Sequence, residues 1–199
     1  MVQDGQIKYH CEHKHATLVC DPLYASEFFE LNALRQKLFQ SKDIGITADG
    51  IGYGNISMPY QDGFLISASA TGGIKELNFS HYSLVKEACI EKNTLSCLGK
   101  LKASSESLSH AAVYQASSII KCVVHIHNAL LFYKLLKTEA LKTPPHIAYG
   151  TVEMAKSIAT LVKLSPQSGL IVMQGHEEGI IFYGTSINKV EEMINTVKQ

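Results

Sequence analysis

The chain has 199 residues, with 18 basic and 18 acidic side chains and a formal net charge of zero. That balance excludes binding nucleic acid through a strongly basic overall field. Hydrophobic residues at 46% and charged residues at 18% exclude a disordered chain, and no apolar run reaches the ~18–20 residues that span a bilayer.

The first ten residues are polar and carry Asp4, unlike a secretory signal. Cys11, Cys20, Cys89, Cys97 and Cys122 are an odd, scattered set, which reads as reduced thiols of a cytosolic protein. Residues 16–20 suggest a short strand, ended by Asp21-Pro22. Phe28, Leu31, Leu34 and Leu38 recur at helical spacing, predicting a helix over 26–41 with Ser26 as N-cap. Four glycines between Gly45 and Gly54 make the next stretch backbone-dominated. Residues 64–67 read as a strand and 69–73 as a small-residue loop. Residues 81–92 read as a helix and 94–98 as a strand. Ala103 to Glu106 lead into a helix through about Ser117, and 122–127 is rich in strand formers. Pro144-Pro145 breaks the chain, and 152–162 has a helical apolar face. Residues 170–173 and 180–183 form a strand pair around Gly175 to Gly179, before a last helix over 187–197. Helices and strands interleave, and no linker divides the chain, so an α/β or α+β fold of one domain is expected.

The sharpest chemical feature is His125-Ile126-His127. Side chains at i and i+2 of a strand share a face, so two imidazoles can converge on one metal. Such a pair also serves structurally, and a site needs more ligands. His176, in the turn after an apolar strand, is the candidate third. Three neutral imidazoles with one open position would suit a catalytic Zn²⁺ or another divalent ion. Glu177 and Glu178 beside it read as solvated turn carboxylates, or as outer partners of the metal. Ser104 and Ser105 open a helix, where free N–H groups and hydroxyls suit a phosphate. Glu106, in that first turn, fits either the helix dipole or a general base. Gly54-Asn55-Ile56-Ser57 and Thr71-Gly72-Gly73 are further loops able to wrap an anion. His10, Cys11, His13, His15 and Cys20 form a rival cluster for a structural zinc, although the spacing matches no standard finger.

In order, Gly54-Asn55-Ile56-Ser57, Ser67 to Gly72, Ser104-Ser105-Glu106, His125-Ile126-His127 and Gly175-His176 resemble the class II aldolase/adducin family, in its fuculose-phosphate aldolase branch. The likeness covers about 26–197, leaving 1–25 as an N-terminal extension. It implies a three-layer α/β/α sandwich around a mainly antiparallel central sheet. It implies that His125, His127 and His176 bind a divalent metal, usually zinc, and that Glu106 is the acid/base residue. It implies that Gly54, Asn55, Thr71, Gly72, Ser104 and Ser105 hold a substrate phosphate. An Asp is usual at the Glu106 position in the epimerase branch. The histidine turn departs from the family pattern, since Glu177 rather than Gly follows His176. The family's proton-donor tyrosine has two candidates, Tyr133 and Tyr149, and the family's C-terminal segment, with another catalytic tyrosine, is not expected in the 23 residues after His176.

The resulting expectation is a cytoplasmic lyase, commonly a homotetramer in this family, that cleaves a small ketose phosphate by retro-aldol chemistry through a metal-stabilised enediolate. Neither nucleic acid nor membrane is expected as a partner. The alternatives are an epimerase or dehydratase using the same metal site, and an adducin-like scaffold without catalysis.

Overall fold

The computed structural model describes residues 6–199; residues 1–5, the start of the expected N-terminal extension, lie outside the described residues. In chain order, strand β1 (His10–His15) precedes helix α1 (Ala25–Gln40), and β2 (Gly45–Ile46) pairs with β3 (Gly52–Tyr53) as a small ribbon. Strands β4 (Asn55–Tyr60), β5 (Gly63–Ser67), β6 (Tyr82–Cys89) and β7 (Thr94–Gly99) form a meander. Then come α2 (Ser107–Ala116), β8 (Cys122–His127), α3 (Ala129–Leu136), β9 (Leu141–Lys142), α4 (Val152–Val162), β10 (Ser168–Val172), β11 (Gly179–Gly184) and α5 (Ile187–Lys198).

One nine-stranded sheet runs β1-β7-β6-β5-β4-β8-β11-β10-β9. Only its outermost pairs, β1 with β7 and β9 with β10, are parallel; every pair between them is antiparallel. Apolar residues of α1, α3 and α5 pack on one face with Ile56, Met58, Cys122, Val124, Ile126 and Phe182. Residues of α2 and α4 pack on the other with Val123, Ile171, Ile181 and Tyr183. This is the expected three-layer α/β/α sandwich. Full burial of side chains such as Ile56, Phe182 and Ile181 is worth about 1.5–3 kcal/mol each. The alternation along β8 has a functional consequence: with Val124 and Ile126 committed to the first face, His125 and His127 must face the α2 side.

Three local expectations are corrected and one element is added. Residues 16–20 are not a strand; the N-terminal strand is β1, which exists through its pairing with β7 rather than through its own apolar pattern. Residues 81–92 are not a helix but hold strand β6. Its Tyr82 to Val85 are buried on both faces between β5 and β7, and a bulge between Val85 and Glu87 breaks the alternation. Ser26 does not cap α1: Tyr24 occupies that place without a side-chain bond, while Asp21 caps the preceding 3-10 turn by accepting from Leu23 N–H. Helix α3 is an addition to the elements expected; Asn128 caps it, accepting from Leu131 N–H at 3.0 Å.

Candidate metal centre and substrate cavity

His125 and His127 leave the end of β8 on one face, and His176 reaches them from the β10–β11 turn. Strand pairing fixes the approach, with Gly179 opposite His127 and Ile181 opposite His125. The turn is closed by Met173 N–H donating to Gly179 O and His176 N–H to Met173 O, with Glu178 left-handed at φ +64°. The three histidines each offer one nitrogen, and these atoms all lie within 4.8 Å of one another. Among the described residues, this is the group of His, Cys, Asp or Glu side chains that gathers as a metal site would.

The surroundings fit a divalent ion. His125 is buried, and its Nε2 has no hydrogen-bond partner among the described residues. Burial, with His127 and His176 next in effect, holds its ring well below the usual imidazole range, so it is neutral and able to ligate. Asn55 pairs with His125 across β4 and β8, its amide 3.5 Å from Nδ1. With Oδ1 turned to accept the Nδ1 proton, both buried groups are satisfied and Nε2 keeps its lone pair; hydrogen bonding, not the atom positions, sets that orientation. An all-imidazole set favours zinc or a similar transition ion over Mg²⁺ or Ca²⁺.

Glu106 lies just before α2, buried beside this cluster, with Oε1 3.8 Å from His176 Nδ1. Its Oε2 accepts from Ser109 Oγ at 2.6 Å, which fixes the rotamer. Ser104 Oγ accepts from Glu106 N–H at 3.4 Å, so the serine supports the turn ahead of the helix.

A cavity of about 320 Å³ joins these parts. It is lined by Gly54, Asn55, Gly72, Ser104, Ser105, Glu106 and the three histidines, so most of the predicted site residues meet there. Thr71 sits behind the lining, and its hydroxyl donates to Ala68 O at 2.7 Å. Gly54 is left-handed at φ +74°, a turn that a side chain would strain. At Gly72 a Cβ would come 2.2 Å from Gly45 O, so only glycine lets the two loops touch.

Several contacts around the site had no signal in the sequence. Tyr149, one of the two tyrosine candidates, stacks on His176 with ring centroids 4.5 Å apart, and Lys8 Nζ lies 3.5 Å above the Tyr149 ring. The other, Tyr133, is half-exposed and donates to Glu177 Oε1. Buried Asp43 accepts His127 N–H through its carbonyl at 2.9 Å, and its carboxylate holds Asn128 and Lys198. Each contact joins segments far apart in the chain, which no local pattern encodes. The rival His/Cys cluster is drawn out along edge strand β1 instead: His13 bonds Gly99 O, and Cys11 faces Cys97 with sulfurs 3.6 Å apart.

The family model for the class II aldolase and adducin N-terminal domain matches residues 47–199. No curated protein matches the chain in sequence. Among solved structures, fuculose-1-phosphate aldolase from Thermus thermophilus is 19% identical, covering 87% of this chain and 89% of its own, with a TM-score of 0.64. YgbL from Klebsiella pneumoniae, for which aldolase, epimerase and decarboxylase are named as candidate activities, is 20% identical, covering 87% of each chain at a TM-score of 0.63. A sugar-phosphate aldolase from Thermotoga maritima is 16% identical, covering 87% of this chain and 92% of its own at 0.60. At such identities the structural likeness establishes the shared fold.

Proposed function

The chain belongs to the class II aldolase and adducin N-terminal domain family, and on that premise we propose that it is a divalent-metal-dependent aldehyde-lyase for a small ketose phosphate. The observation that carries this reading is the meeting of three histidine nitrogens within 4.8 Å, beside a buried carboxylate, in one cavity with small-residue loops.

His125, His127 and His176 would hold the ion, and a bound zinc would supply Lewis acidity to substrate oxygens. Glu106 moves the proton. It takes one from the hydroxyl on the carbon that becomes the aldehyde, and the adjacent carbon–carbon bond breaks. The electron pair stays with the fragment bearing the ketone and phosphate, which is protonated before release. Ser109 keeps Glu106 oriented through its 2.6 Å bond. Ser104, Ser105, Gly54, Asn55 and the Thr71–Gly72 loop fit the phosphate end, where orientation can supply several kcal/mol of the barrier. Five free thiols agree with a reducing cytoplasm. Leu130, 87% exposed beside His127, suits a homo-oligomer, as in the tetramers the resemblance implies.

The test is metal content by elemental analysis, wild type beside His125→Ala, followed by a screen of ketose phosphates for aldehyde release. About one divalent ion per chain, lost in the variant, with aldehyde from at least one substrate, is the expected result. No ion after reconstitution, or isomerised substrate without aldehyde, would overturn it.

A further inference from the structure

The cavity read as a phosphate site has no lysine or arginine among the described residues of its lining, so its anion needs a positive charge from elsewhere. We propose that Arg35, buried under the Thr71–Gly72 loop, is the positioning residue and fixed counter-charge of this anion subsite. The inference rests on the phosphate reading above.

Arg35 lies on α1 and is 1% exposed. Its guanidinium donates to Lys75 O at 3.0 Å, Thr71 O at 3.0 Å and Gly72 O at 3.1 Å. Among the described residues its Nε has no partner and no carboxylate pairs with it. Those carbonyls and the Phe39 ring, 4.8 Å from the guanidinium carbon, tie α1 to the loop, but a buried cation met by no negative charge is costly. The charge calls for an anion that protein side chains do not supply.

Loop geometry says where that anion would sit. The described peptide bonds are all trans, so a carbonyl and the next N–H point in opposite directions. With the Thr71 and Gly72 carbonyls turned to Arg35, the N–H groups of Gly72 and Gly73 turn away from it. Among the described residues, neither N–H donates to a backbone or side-chain acceptor, although Gly72 is buried and lines the cavity. Buried N–H groups are nearly always satisfied. Arg35 thus orients the N–H of Gly72, which lines the cavity, and adds a charge behind it, while Gly73 is exposed at the edge of the loop. Ser104 and Ser105 lie across the same cavity. A compact oxyanion, a phosphate monoester dianion, matches donors without a competing lysine.

The experiment titrates inorganic phosphate into metal-loaded wild type, Arg35→Lys and Arg35→Met, with metal content and thermal unfolding as controls. Arg35→Lys keeps the charge but cannot bridge three carbonyls, and Arg35→Met removes both. Phosphate affinity should fall about 10-fold in the first and about 100-fold in the second, with metal content unchanged. On a phosphorylated substrate, the loss should appear in KM more than in kcat. Should Arg35→Met fold poorly, Arg35→Lys and a salt series on wild type still decide. A buried charge is poorly screened, so wild-type affinity should change by less than about threefold between roughly 20 and 200 mM NaCl.

Equal phosphate affinity in wild type and folded Arg35→Lys would overturn the role of Arg35 while leaving the phosphate site standing. A tenfold salt dependence would assign the anion to surface charges and overturn it too. Loss of phosphate binding in His127→Ala would put the ion on the metal instead. No phosphate binding by wild type would sink the phosphate reading itself, and Arg35 with it.

Discussion

Replacing Glu106 by Gln isolates proton transfer from metal binding and packing. The variant is nearly isosteric in a site that is only 2% exposed. Its amide oxygen can take over the Ser109 bond now made at 2.6 Å, and its NH₂ replaces the oxygen 3.8 Å from His176. Folding should change by no more than about 1 kcal/mol, since a hydrogen bond is kept and a buried charge removed. The three histidines are untouched, so metal content should stay at the wild-type value. Proton transfer by a positioned side chain contributes about 10²–10⁴ in rate, or about 2.7–5.5 kcal/mol of barrier. We therefore expect kcat to fall by two to four decades while KM shifts by less than about threefold. Aldehyde release, followed by coupled reduction under saturating substrate, gives kcat; elemental analysis of the same preparation gives the metal. A kcat within about threefold of wild type, with the metal retained, would refute the assignment and leave Glu106 a helix-dipole acid.

Three further outcomes follow from the same geometry. His127→Ala should lose the divalent ion while the fold survives, because His127 is only half-buried; full metal occupancy would remove it from the ligand set. Gly54→Ala should cost about 1–3 kcal/mol, since its left-handed backbone would carry a Cβ 2.7 Å from Ile44 Cγ1; an unchanged melting temperature would contradict that strain. Stability should also fall in acid. Burial pushes His110 from its ordinary 6.5 down to about 3, so the unfolded chain binds that proton first as pH drops. The contribution is whole above about pH 6.5 and lost progressively toward about pH 3. Between about pH 7 and 5 one such histidine accounts for about 2 kcal/mol. Urea unfolding of metal-free protein at both pH values should show it, and His110→Gln should lessen the difference by that amount. An identical pH dependence in the variant would refute the argument.

What could be read from the chain followed the range of each signal. Helix α4 is legible because Thr151 caps it and Met154, Ala155, Ile158 and Val162 bury one side. Strand β6 is not, because a strand covered on both faces loses its alternation, and the spacing of Leu84, Val85 and Ala88 then imitates a helix. Strand β1 exposes His10, Glu12 and Lys14; its evidence is the register with β7, some 84 residues away (Thr94 opposite His10). Helix α3 follows its strand after a single residue, so the run from Val123 to Leu136 has no polar break long enough to divide it.

The candidate site shows the same division with higher stakes. The spacing of His125 and His127 carries its own geometry, since two residues along a strand return to one face. The order of the loops around them carried the family. Their support did not show: Asp43 behind His127, the stacking of Tyr149, itself a named candidate, on His176 and Arg35 beneath Gly72 each act over a gap that only folding closes. Arg35 illustrates why. On α1 it interrupts an apolar face of Phe28, Leu31, Leu34 and Leu38, and in the sequence an arginine there reads as the helix's edge. A charge in that position is worth its desolvation only if something else in the molecule or its ligand needs it. The residues that touch a substrate can be guessed from their chemistry, whereas those that aim them are recognisable only by a burial that their own packing does not explain.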